Sequence, residues 1–347
     1  MQVSALTRLL AGAAAATLPL AASAVDLTGA GASFPAPVYA KWAEAYKAET
    51  GHSLNYQAIG SGGGIKQINA KTVDFGATDD PVPGDALQKD GLVQFPAVIG
   101  GVVPVVNVQG VEPGKMVLDA NVLAAIFSGK VAKWNDPAVA KLNPSLKLPN
   151  QAITPVYRSD SSGTTAVFTG YLAEVVPAFK KDVGAGKTVD WPSGVGGKGN
   201  AGVAANVMKL KGSIGYVEYA YAKQNKLAHT ALVNRDGQTV QPDEKTFAAA
   251  AANADWKKAP GFGISLNNQP GADAWPITSA TFILMHRKPV DAQRSTEVLK
   301  FFRWALEDGG DMAKALDYVP IPARTVKLIE DSWKEIEGIG SLSVASK

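Results

Sequence analysis

Two apolar periodicities alternate along this chain, and their alternation restricts the fold more than any other feature of the sequence. Helical spacing fills residues 35–50, where Val38, Trp42, Ala45 and Tyr46 share one face, Pro35 and Pro37 suit the first turn and Gly51 ends the run. Extended alternation follows over 53–59, then a helix over 62–70 opened by Ser61, then a short apolar strand over 73–77. Segments 92–98, 101–107, 153–157, 213–217 and 277–286 also read as strands, and 162–174, 202–210, 296–307 and 326–337 as helices. Strands alternating with helices predict parallel sheets with helices on their faces. At 347 residues the chain fits two lobes of ordinary size, and 46% hydrophobic residues suffice for a sizeable core. The glycine-rich stretches 60–64 and 194–199 are too short for linkers and read as turns.

The N-terminus reads as a targeting segment. Arg8 is followed by an apolar run over 9–22 that falls short of the roughly 20 residues a spanning helix needs. It ends in Ala22-Ser23-Ala24, an A-x-A cleavage signal, so residues 1–24 are expected to be a secretory signal peptide. The absence of cysteine excludes disulfides, thiolate metal sites and cysteine nucleophiles together. A net charge of +3 gives no concentrated basic surface for nucleic acid.

Three turns share one chemistry. Thr28–Pro35 precedes the first helix, Gly60–Gly64 the second, and Arg158–Thr165 joins a strand to a later helix. Each places a hydroxyl and small residues at a helix start, where unpaired N–H groups and a partial positive charge gather. A single such turn has a plainer explanation, since Ser and Thr are good helix caps. Three of them, one carrying Arg158, could enclose a tetrahedral oxyanion. Arg158 offers a fork of donors suited to its oxygens, and Asp160 could orient that fork by pairing with it.

Asp79 is the odd member, just past a short strand, where open α/β sheets bind ligands, although an Asp two residues before Pro81 also reads as a plain turn residue. A carboxylate inside an anion site is sensible when the anion carries a proton. Hydrogen phosphate can donate that proton to Asp79, whereas sulfate would leave a buried carboxylate unpaired. Breaking one side of a buried charged pair costs roughly 3–5 kcal/mol, a discrimination of about two to four powers of ten.

Competing motifs fail. Ile65 stands where a dinucleotide fingerprint needs its third glycine, and Gly199 where a P-loop needs Ser or Thr. No G-x-S-x-G elbow surrounds Ser61 or Ser162. His52, His229 and His286 are far apart in sequence, which disfavours a metal site or a Ser-His-Asp triad. Trp191, Trp275, Phe301, Phe302 and Trp304 read as core.

Residues 27–39, Ile59–Gly64, Val73–Asp79, Phe95–Val103, Arg158–Thr164, Trp191–Asn200, Ile214–Asn225 and Asp273–Thr278 together resemble the PstS family, the periplasmic phosphate-binding proteins of ABC transporters, of the type II periplasmic-binding-protein class. The resemblance implies an α/β fold of two lobes, each a mostly parallel sheet flanked by helices, joined by a two-strand hinge. One lobe would comprise residues 25–104 plus 278–347 and the other 105–277. It also implies a ligand set: Ser33, Phe34 and Ser61 as donors, Asp79 accepting the phosphate proton, Arg158 as cation paired with Asp160, and Ser162, Gly163 and Thr164 as a helix-start cradle. Ser33 stands where Thr is expected, which keeps the hydroxyl, and Asp80 stands where a small residue is usual. The expected protein is a non-catalytic, monomeric periplasmic receptor for inorganic phosphate, with a membrane ABC permease as partner and no cofactor, metal or nucleic acid. The rivals are a receptor for sulfate or molybdate and an exported phosphatase.

Overall fold

The computed structural model describes residues 24–342; the expected signal peptide lies, apart from Ala24, outside the described residues. In chain order the strands are β1 (Asp26–Gly31), β2 (Ser53–Ala58), β3 (Phe75–Thr78), β4 (Leu92–Val106), β5 (Val117–Leu118), β6 (Thr154–Arg158), β7 (Val195–Gly197), β8 (Ser213–Glu218), β9 (Ala228–His229), β10 (Ala231–Val233), β11 (Thr239–Val240) and β12 (Thr278–His286). The main sheet runs β2-β1-β3-β12-β4-β8-β6-β7, with β9 also on β4, and β11-β10-β5 form a small separate sheet.

The two wings of the main sheet are parallel, β2-β1-β3 on one side and β7-β6-β8 on the other, as the alternation predicts. The middle is antiparallel. β12 runs against both β3 and β4, and β8 runs against β4. The chain leaves one wing along β4 and comes back along β12, and an outgoing and a returning strand side by side must point opposite ways. β4 serves both wings: Leu92–Gly101 pairs with β12, and Val102–Val106 pairs with β8. At the change of partner the Val102 N–H donates to the Ile277 carbonyl at 2.8 Å, and the Trp275 indole donates to the Val102 carbonyl at 3.0 Å. These two segments are the two-strand connection.

Four local readings are corrected. Segments 92–98 and 101–107 are one 15-residue strand, β4, fully buried along its length. Pro96 is tolerated there because the β12 register slips beside it, pairing Thr281 with Val98 but Phe282 with Pro96. The first turn is strand as far as Gly31, because Gly29 leaves room for the Phe75 ring, which a Cβ there would meet at 2.2 Å. The 194–199 turn contains β7, and the strand placed at 73–77 spans Phe75–Thr78.

Each wing has its own aromatic cluster within one continuous apolar core. Phe302 packs edge-on against Tyr39, Phe75, Phe95 and Phe301, all buried. On the far side Phe168 stacks on Tyr216 at 4.3 Å, and Phe127 meets both. Trp275 and Trp304 are buried as expected, while half-buried Trp191 stacks on Tyr157. Within 105–277, the segment Trp256–Phe262 docks on the first wing, where Gln94 donates to the Gly261 carbonyl at 2.8 Å.

The helix Ser61–Asn69 reaches the sheet at Gly64, where an added Cβ would stand 2.5 Å from the Gly31 Cα and 2.6 Å from the Ala30 oxygen. Alanine is ordinarily about 1 kcal/mol better than glycine inside a helix, but here it forces the helix off β1. Gly64→Ala is expected to destabilise by about 2 kcal/mol or more in urea unfolding. A neutral or stabilised variant would show that the helix is not seated as described.

Candidate anion-binding site

The three turns converge at the junction of the two wings. Ser33, Phe34, Ser61, Asp79, Arg158, Ser162 and Thr164 are each at most 5% exposed, and Gly163 is buried with them. The cap explanation is decided separately for each hydroxyl. Ser162 is a true cap: it precedes the helix Gly163–Val175 and accepts from the Thr165 N–H at 3.0 Å. Ser33 and Ser61 are not. The helix Ala36–Thr50 starts from Pro35 and the helix Ser61–Asn69 from Gly60, neither with a side-chain cap.

The Ser61 hydroxyl instead ties the wings together, accepting from the Asp79 N–H at 3.2 Å and from the Gly163 N–H at 3.1 Å. Backbones meet beside it: the Gly62 N–H donates to the Ser161 carbonyl at 3.0 Å. Gly60 has φ +91°, and a Cβ there would lie 2.3 Å from an Asp160 carboxylate oxygen. Glycine in this run therefore serves contact between the wings as well as the helix start.

Arg158 ends β6, and its side chain is 1% exposed. Its Nε and Nη2 donate to the two oxygens of Asp160 at 2.8 and 2.5 Å, and its Nη1 donates to the Thr164 hydroxyl at 3.2 Å. Asp160 also accepts from the Gly199 N–H at 2.9 Å. Burial works to raise the Asp160 carboxyl, but the guanidinium and the Gly199 amide outweigh it and hold it below the usual carboxylate range.

Asp79 follows β3 directly and is 1% exposed. It accepts from the Thr281 hydroxyl at 2.6 Å, and the Ser279 hydroxyl donates to its carbonyl at 3.0 Å. Burial pushes its carboxyl up to about 7, with Asp80 and Asp160 adding to the rise against Thr281 and Arg158. A cavity of about 320 Å³ opens beside it, lined by Asp79, Asp80 and Ser279 from one side and Val167, Gly170 and Asn267 from the other. Asp80, which stands where the family resemblance leads one to expect a small residue, forms an ion pair with Lys187.

All nine expected residues thus lie in one neighbourhood. Sequence reasoning missed four others. Asn200 bridges Ser33 and Thr164, Thr281 holds Asp79, the Tyr221 hydroxyl donates to the Ser33 carbonyl at 2.6 Å, and Lys187 answers Asp80. Asn200 stood at the end of a quoted motif with no role attached. Thr281 was one residue of a strand otherwise read as apolar.

The raised Asp79 pKa fixes the sign of one stability effect. The folded value lies above the unfolded one, so Asp79 contributes fully below about pH 4 and this contribution is lost as pH rises through about 7. In ligand-free protein Asp79→Asn lacks that loss. Its stability relative to the parent is expected to improve between pH 4 and 7.5 by up to about 4 kcal/mol, measured by urea unfolding across the range. A difference independent of pH would show that Asp79 stays ionised.

A profile described as the PBP superfamily domain matches residues 16–308. Over 318 residues the chain is 55% identical to the phosphate-binding protein PstS of Haemophilus influenzae, covering 92% of this chain and 95% of that one. Over 309 residues it is 53% identical to the protein of the same name from Xylella fastidiosa strain Temecula1, covering 89% and 85%. A solved phosphate-binding protein from Stenotrophomonas maltophilia superposes with a TM-score of 0.68 at 20% identity, over 92% of this chain and 99% of that one, a likeness of fold. By profile and by identity over nearly its whole length, the chain belongs to the PstS family of the PBP superfamily.

Proposed function

We propose that the chain is a receptor that closes its two lobes on inorganic phosphate and delivers it to a membrane ABC permease. The observation that carries this reading is a buried carboxylate, Asp79, set among a cluster of donors drawn from both wings. Ser33 would give its hydroxyl and N–H, Phe34 its N–H and Ser61 its hydroxyl. Arg158, oriented by Asp160, would supply the cationic donors, and Ser162, Gly163 and Thr164 the start of a helix whose partial positive charge favours anions. The ligand would carry the one proton that lets it donate to Asp79. The relatives' printed name, phosphate-binding protein PstS, supports the same ligand.

The lobes in this proposal are residues 25–104 with 278–347, and 105–277, hinged where β4 changes partner. Residues 1–24 would direct export to the periplasm and be removed. The protein would act as a monomer without cofactor, metal or covalent chemistry, the permease supplying the transport step. Among the described residues no group of three or more His, Asp or Glu is placed to hold a metal ion.

Calorimetric titration of ligand-stripped protein tests the reading. At pH 8 phosphate is expected to bind one-to-one, with sulfate weaker by at least about one power of ten, the cost of protonating an Asp79 raised to about 7. Sulfate cannot bring the shared proton, so it must find Asp79 already protonated. Its affinity should therefore rise as pH falls below about 7, and Asp79→Asn should bind sulfate with little pH dependence. Equal affinity for both anions at pH 8 in the parent would reopen the ligand class. A chromogenic phosphate ester, with and without divalent metals, tests the enzymatic rival: many equivalents of phosphate released per protein would overturn the receptor.

A further inference from the structure

Asn200 lies in the first turn of the helix Gly199–Lys209, beside β7, and is fully buried. Its Oδ1 accepts from the Glu218 N–H at 2.9 Å, which fixes the amide so that Nδ2 is the atom facing the cleft. Nδ2 donates to the Ser33 hydroxyl at 2.9 Å and to the Thr164 hydroxyl at 3.2 Å. The Asn200 N–H donates to the same Ser33 oxygen at 3.0 Å, and Arg158 Nη1 to the same Thr164 oxygen at 3.2 Å.

A hydroxyl has one proton and two acceptor positions. Both acceptor positions of Ser33 are filled, as are both of Thr164, so the one hydrogen bond left to each is donation. We propose that Asn200 is a positioning residue that makes Ser33 and Thr164 obligate donors toward the bound anion. Ser33 belongs to one side of the cleft and Asn200 to the other, so closure itself sets the polarity of Ser33. The hydroxyl protons are then aimed before the anion arrives, and no reorientation opposes binding. Ser61 has the same filled pattern from the Asp79 and Gly163 N–H groups. There the donors are backbone; at Ser33 and Thr164 a single side chain contributes to both. The inference rests on the reading of this site as a phosphate site.

The test is a double-mutant cycle read by calorimetric titration with inorganic phosphate, with circular dichroism confirming the fold of each variant. The parent is titrated first; if it does not bind phosphate, the functional reading falls and this inference with it. If it binds, Asn200→Ala is expected to weaken phosphate roughly 10- to 100-fold in the parent but less than about threefold in a Ser33→Ala/Thr164→Val background, because the groups it orients are gone. An equal penalty in both backgrounds would assign Asn200 a merely structural role and overturn the proposal, as would a full-affinity Asn200→Ala protein. Should Asn200→Ala fail to fold, Asn200→Ser takes its place in the same cycle and is read by the same two outcomes.

Discussion

Arg158 is the only buried lysine or arginine among the described residues, and the site is organised by what its burial demands. An unpaired guanidinium so far from water would be untenable. Asp160 answers it with a two-pronged pair, Thr164 takes a further donor, and the Gly199 amide satisfies Asp160 in turn. These bonds hold the turn at 158–164 in one shape and so aim the start of the helix Gly163–Val175. Because Arg158 and Asp160 neutralise each other, the cleft does not attract an anion by net charge. It offers oriented dipoles: hydroxyls with filled acceptor positions and N–H groups at a helix start.

Dipoles act over short distances, so such a site works only when the two sides come very close. The glycines meet that need. A Cβ on Gly62 would stand 2.2 Å from the Ser161 hydroxyl, and one on Gly163 would stand 2.4 Å from the Ser61 hydroxyl and 2.8 Å from the Asp79 carboxyl. Ordinary contact begins at 3.4 Å, so side chains there would push the wings apart by roughly an ångström. The sheet supplies the complementary freedom. Its two parallel wings carry separate aromatic clusters within one continuous apolar core and meet along β4, whose partner changes between Gly101 and Val102.

These two requirements explain which parts of the molecule were legible in the sequence. Ser33, Ser61, Arg158 and the run 162–164 announced themselves because hydroxyls, glycines and a lone Arg at strand-to-helix turns are a local pattern. The helices around them followed from spacing, and the parallel wings from alternation. β1 was hidden because it is built from Gly29, Ala30 and Gly31, small so that Phe75 and the helix Ser61–Asn69 can approach, which removes the apolar signal of a strand. β4 was divided because its Pro96 and its Gly100-Gly101 step look like breaks, although a register slip absorbs the proline. Asn200 and Thr281 act on partners more than 160 residues away, Ser33 and Asp79 respectively. Only the folded sheet brings them there, and no local spacing encodes that contact.

Asp79 shows why the buried carboxylate belongs to this site. In a cleft of donors it is a buried acceptor, and burial has raised its proton affinity toward neutrality. An ionised Asp79 can accept a hydrogen bond from a protonated oxyanion, the proton staying on the anion. A carboxylate with an ordinary pKa would stay ionised near neutral pH and accept in the same way. One raised much further would stay protonated and act as another donor, accepting any oxyanion of the right size. Thr281 and Arg158 pull the Asp79 value down while burial, Asp80 and Asp160 push it up. On the proposed reading, the balance among them, more than the presence of a carboxylate, would let the cleft distinguish an anion that carries a proton from one that does not.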